Sequence, residues 1–96
     1  MTFKEFDEKW NNENFSLCNE YIEDCFDMYE TEGFADTFES TDTEFKKFNG
    51  KPFRVIRRCN EVDGFDLEVL PVWLVELEDG TQIQAFPDEI CSIERK

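Results

Sequence analysis

The chain has 96 residues, 24 of them acidic and 10 basic, for a net charge of −14; 40% are apolar and 16% aromatic, with eleven Phe. That length suits one domain with a modest core, and the aromatic content excludes reading the acidity as that of a disordered tail. No run approaches the roughly 18 to 20 apolar residues of a membrane span and MTFKEFDEKW lacks a signal peptide's apolar stretch, so a cytoplasmic protein without membrane contact is expected.

Thr2 and Glu5 have capping-box spacing, and Phe3, Phe6 and Trp10 recur on one helical face, which predicts a helix over 3–10. Lys4–Glu8 and Glu5–Lys9 stand four apart and would brace it. The polar run from Asn11 breaks it, and Asn14 is a candidate cap for a second helix over about 15–32. There Leu17, Cys18, Tyr21, Ile22, Cys25, Met28 and Tyr29 share one broad half, with Phe15 and Phe26 at its border, and Gly33 follows as the expected left-handed stop. FADTFES reads as a connector. Thr41 and Glu44 repeat the capping spacing before Phe45, Phe48 and Asn49-Gly50, which predicts a third helix over 42–48.

From Lys51 the period changes to that of strands. KPFRVIRRC reads as a strand, NEVDGFD as a loop and VLPVWLVELEDGTQIQAF as a hairpin. A three-residue Glu78-Asp79-Gly80 loop is expected, because it sets Trp73, Val75 and Leu77 opposite Ala85, Ile83 and Thr81. PDEI predicts one helical turn and CSIE a closing strand. The expected class is therefore α+β in a single domain: an acidic helical part (1–50) and a β part (51–96) forming a small SH3-like antiparallel barrel or strongly bent sheet.

LPVWLVELEDGTQIQAFPDEI, Leu70 to Ile90, resembles small proteins of phages and other mobile elements that share the run PxWxVxxEDGxxIxAxPxEI. The resemblance covers about a fifth of the chain, consists of core and turn residues, and supplies no active site. In size and charge the chain is also similar to anti-CRISPR and anti-restriction inhibitors, many of which mimic nucleic acid. That similarity implies a phage or mobile-element protein acting in the cytoplasm of a bacterial host.

The charge is lopsided. Residues 1–45 hold fourteen acids and two bases, a balance of −12, and no base occurs between Lys9 and Lys46. On the second helix Glu20, Glu23, Asp24, Asp27 and Glu30 fall within about 120° of one another. Their five neighbouring pairs would cost the isolated helix about 1–2.5 kcal/mol. An ordinary solvated face relieves such repulsion with interleaved Lys or Arg, and this one has none. The ridge, continued by Asp36 and Glu39, is therefore the candidate partner-binding site, to be met by a protein with a basic nucleic-acid-binding surface such as a nuclease or CRISPR effector. Direct nucleic-acid binding is not expected of so acidic a half. The plainer reading stays open, in which the acids serve solubility and the chain is a barrel-type binding module or a regulatory protein of a mobile element.

Lys46, Lys47, Lys51, Arg54, Arg57 and Arg58 form a basic strip that either binds an anionic ligand or pairs with the chain's own acids. Trp73 and Phe86 either line an aromatic cage or belong to the core. Cys18, Cys25, Cys59 and Cys91 form no CxxC pair and there is no histidine, so reduced, mostly buried thiols are expected rather than a zinc site. No calcium loop, glycine-rich phosphate loop or nucleophile elbow occurs, and no catalytic residue, metal or cofactor is expected.

Overall fold

The computed structural model describes residues 1–11 and 18–95. The fold is α+β, with helices α1 (Phe3–Asn11), α2 (Asn19–Glu32) and α3 (Pro87–Ile90) and strands β1 (Phe53–Arg58), β2 (Trp73–Leu77) and β3 (Gln82–Ala85). Short 3-10 turns at Lys46–Phe48, Glu61–Asp63, Leu67–Val69 and Ile93–Arg95 complete it.

Thr2 caps α1 as its spacing predicts, its Oγ1 accepting from the Glu5 N–H at 3.2 Å. The helix lies along α2, where Phe6 and Trp10 pack on Tyr21 with ring centroids 5.5 and 5.3 Å apart. The expected start of α2 near Phe15 and its Asn14 cap lie outside the described residues. Cys18 stands at the N-cap position with no side-chain bond to the helix. At the other end Gly33 takes φ +99 and returns its N–H to the Tyr29 carbonyl. Its ψ of 155 is extended, so it stops the helix without the left-handed cap expected of it.

Phe26, placed at the border of the apolar face by periodicity, is fully in the core, 5.2 Å from the ring of Trp73. One side of α2 meets α1 and another meets the sheet, so its buried arc is wider than a one-sided stripe.

The connector contributes more than a link. Phe38 is completely buried, and its backbone bonds Lys51 O and Gly50 N, while Ala35 and Glu39 donate to the carbonyls of Ile90 and Glu89. The third helix does not form. Residues 43–45 are turns leading into the 3-10 turn, and Asp42 rather than Thr41 accepts from the Glu44 N–H. Asn49 closes this loop by bonding both backbone groups of Ser40. A closed loop of that size leaves no room for a helix to propagate past its costly first turn.

The sheet is antiparallel in the order β1-β2-β3. Its hairpin has the expected register, Trp73, Val75 and Leu77 facing Ala85, Ile83 and Thr81. Gly80 supplies the required positive φ (+90), and Asp79 Oδ1 accepts from the Thr81 N–H. One face carries Trp73, Val75, Leu77, Ile83 and Ala85 and is buried; the other carries Leu74, Glu76, Gln82 and Gln84.

The β1–β2 ladder slips between Val55 and Arg57, leaving Ile56 as the extra residue of a bulge. After it Arg58 stands opposite Trp73, on the inner face. In an unbroken ladder Arg57 would occupy that place and Arg58 would point outward.

The barrel expected for residues 51–95 does not close. PDEI forms the predicted turn as α3, but Cys91 pairs with Phe34 in an isolated bridge and the chain enters a 3-10 turn, so the closing strand is absent and the sheet stays open. The core lies between α2, the connector and the inner sheet face. Trp73 is its hub, with Phe26, Tyr29 and Phe34 set edge-on around it at 5.2–6.1 Å. Trp73→Ala should therefore cost about 3–5 kcal/mol, read as a lowered urea midpoint; a loss below about 1 kcal/mol would show that the hub is not structural.

Candidate functional site

The acidic ridge of α2 is present as a continuous face, but it is not bare. Lys9 reaches across from α1, its Nζ 3.0 Å from Glu20 and 2.7 Å from Asp24. It is drawn there from the Glu5 pairing that its spacing suggested. Asp24 also accepts from the Trp10 indole N–H at 2.8 Å and is buried.

Arg58 holds the remaining three. Its Nε and Nη2 clasp Glu30 at 2.9 and 2.6 Å as a two-pronged fork, Nη2 reaches Asp27 at 2.9 Å, and Nη1 reaches Glu23 at 2.8 Å. The guanidinium lies over the Phe26 ring, and the Trp73 indole donates to Glu30 at 3.2 Å. Hydrogen bonding to Glu30 raises the Arg58 pKa further above its already high value, and bonding to Asp24 raises that of Lys9.

Five carboxylates thus share two cations, leaving a balance of −3. The expectation of an unopposed anionic track is overturned, because the relief missing within the helix comes from α1 and β1. The acids are graded in exposure: the Glu20 and Glu23 side chains are 70% and 64% exposed, Glu30 30% and Asp24 11%.

Asp36 and Glu39 are exposed on the connector, beyond the end of α2. Glu39 instead lines a separate shallow hollow with Ser40, Asp88 and Glu94. Acids of the β part, between β1 and β2, lie beside the ridge. A groove of about 310 Å³ runs between α2 and residues 58–70, floored by Ile22, Phe26 and Leu70 and edged by Glu23 and Glu61. Glu61 also borders a wider hollow lined by Asp66 and Glu68. No periodicity places this loop against α2. The excess of acids in EVDGFDLE was its only trace in the sequence.

That loop is firmly built. Asn60 Oδ1 accepts from the Val62 N–H and Asp63 Oδ2 from the Asn60 N–H, while Arg57 forks onto Asp63 at 2.7 and 3.0 Å. The Arg57 guanidinium, with the Asn60 N–H, holds the Asp63 carboxyl down at about 2.

Half of the basic strip pairs with the chain's own acids. Arg54 meets Glu76 at 2.8 Å, and Arg57 and Arg58 are placed as above, leaving Lys46, Lys47 and Lys51 exposed. Trp73 is buried and lines no cage; Phe86 is exposed. The four cysteines are free thiols, Cys25, Cys59 and Cys91 buried and Cys18 half-buried. Burial pushes Cys25 up to about 11, so it stays protonated at neutral pH. Among the described residues no group of three metal-ligating side chains converges, and no helix is long and apolar enough to cross a membrane.

No protein-family model matches the chain, and no curated protein or solved structure matches it.

Removing Arg58 leaves three carboxylates facing one another beside Trp73. Arg58→Met should cost about 2 kcal/mol in urea denaturation, a value already discounted for the partial exposure of the cluster, and Arg58→Met/Glu30→Met should recover part of it. The Asp63 carboxyl falls from 3.8 to about 2 on folding, so its stabilisation is complete above its unfolded value and disappears as pH falls through the folded one. The amide resonances of Asn60 and Val62 should accordingly shift with a midpoint near 2; a midpoint near 4 would mean that the Arg57 fork is not made in solution.

Proposed function

We propose that this is a non-enzymatic interaction protein whose acidic surface occupies a basic nucleic-acid-binding surface of another protein, in the manner of the anti-CRISPR and anti-restriction inhibitors it resembles in size and charge. One observation carries the reading: Glu23 of α2 and Glu61, Asp66 and Glu68 of the loop edge two hollows that share Glu61 and whose one bordering cation among the described residues, Arg58, is already bound by three carboxylates. Such a surface attracts lysine and arginine heads, while the apolar floor accepts their methylene stems. The contact is thereby moved from the whole ridge to its exposed margin, Glu20 and Glu23, together with the loop. Asp24 and Glu30 hold the fold, and Asp36 and Glu39 stand apart.

The test is competitive. A fluorescent duplex held by a DNA-binding nuclease or CRISPR effector should be displaced by this protein at low ionic strength. Displacement should weaken at least about tenfold as salt rises from about 50 to 200 mM. Glu23→Gln/Glu61→Gln/Glu68→Gln should fold normally and lose a similar factor, whereas Asp36→Gln/Glu39→Gln should compete like the native chain. Equal competition by both variants would overturn the assignment to this groove. Failure to displace duplex from every such enzyme tried would overturn the function.

A further inference from the structure

The sheet ends on β3, and the phase of its hydrogen bonds decides what that edge presents. Bonded and unbonded pairs alternate along an antiparallel ladder. The Leu77 N–H to Thr81 O bond fixes the phase, so the pairs Val75–Ile83 and Trp73–Ala85 exchange bonds within the sheet. The Cys59 N–H to Val72 O bond on the opposite side of β2 has the same phase. The backbone N–H and C=O groups of Gln82 and Gln84 therefore point away from β2, where no described strand lies.

Exposed edges are normally guarded by lysine, proline, a bulge or a cover, and Gln82–Ala85 has none of the first three. The segment from Gly80 to Pro87 is the longest uncharged run in a chain of which 35% is charged. Beside it lies a hollow of about 510 Å³ lined by Phe45, Phe65, Leu74 and Phe86 as well as the two glutamines, with Phe86 43% exposed. Absence of charge with an aromatic surround is the composition of an interface centre.

We propose that β3 pairs antiparallel with β3 of a second copy about a two-fold axis, joining two three-stranded sheets into one of six. The two outward residues are two apart and identical, so the register is self-complementary. Gln82 of each copy falls opposite Gln84 of the other, exchanging four main-chain hydrogen bonds, and the two Ile83 residues meet at the axis. The side-chain amides face each other in the same pairs and satisfy one another. A second copy fits this edge better than a foreign segment does, because the groove lining carries no charge with which to select one. The same neutrality lets two chains of −14 each approach at this place.

The association is weak, since four bonds and a small apolar contact fall short of a standard interface. It strengthens with salt, which screens the repulsion between the two acidic bodies. That sign is opposite to the one expected for the acidic groove, so the two ideas fail separately. Sedimentation velocity from about 10 µM to 1 mM should show a monomer–dimer equilibrium whose dimer fraction rises between about 0.05 and 0.5 M NaCl. Gln84→Pro removes an outward N–H that bonds no described residue, and should give monomer throughout with an unchanged circular dichroism spectrum. Gln84→Lys keeps that N–H, sets a charge at the contact, and should do the same. Monomer at the highest concentration and salt would overturn the proposal, as would a dimer that survives both substitutions.

Discussion

The grip of Arg58 on α2 is the contact on which the rest of this structure depends. A helix with five acids along one side and no base within it is poorly stable alone, and the core cannot form without it, since Ile22, Phe26 and Met28 all come from it. Arg58 resolves that conflict from the sheet. It can do so only because the bulge at Ile56 turns residue 58 to the inner face, opposite Trp73. One irregularity in a ladder thus decides which of two adjacent arginines meets the helix and which, as Arg57, meets Asp63 in the loop. Both outcomes serve the same end, because the Arg57 fork holds the loop that walls the groove beside α2.

The cations that relieve the ridge belong to α1 and β1, so the charge of α2 is balanced only when the tertiary structure is complete. Lys9 and Trp10 meet Asp24 from one side, and Arg58 and Trp73 meet Glu30 from the other. Each indole N–H supplies a partner where a carboxylate is most withdrawn from water, which keeps the burial of these acids from leaving an unsatisfied acceptor. Secondary and tertiary structure are therefore formed together here, and helicity in the isolated segment is expected to be low.

Much of the fold was legible because its signals are local. The Thr2 cap, the apolar stripe of α2, the Asp79-Gly80 turn and the Pro87 start of α3 each depend on residues a few positions apart, and burial alone selected the hairpin register. What escaped is non-local. The 42–48 segment has helical spacing, yet the Ser40–Asn49 bonds fold it into a loop. CSIE alternates as a strand should, but its neighbours are Phe34 and α3 rather than a sheet edge, so no barrel closes. A period of 3.6 gathers the acids of α2 into a ridge, but nothing in it shows that Arg58, 28 residues beyond Glu30, lies against them.

The grading of the ridge would let one helix serve both the fold and the proposed binding. A cation arriving from outside competes with Arg58 and Lys9 for their carboxylates. If it could take Glu30 or Asp24, binding would loosen the fold. Those two are the most withdrawn of the five, and each has an indole donor besides its cation. Glu30 is held by both prongs of the fork, so extracting it would break several bonds at once. Glu23 gives Arg58 a single bond and Glu20 gives Lys9 a single bond, and both are largely in water. An incoming lysine or arginine can replace either bond at little cost, because exposed pairs of this kind contribute only about 0.2–1 kcal/mol. On the proposed reading the helix therefore exchanges partners along its outer margin, where Glu20 and Glu23 each make one exposed bond, while its inner margin stays latched.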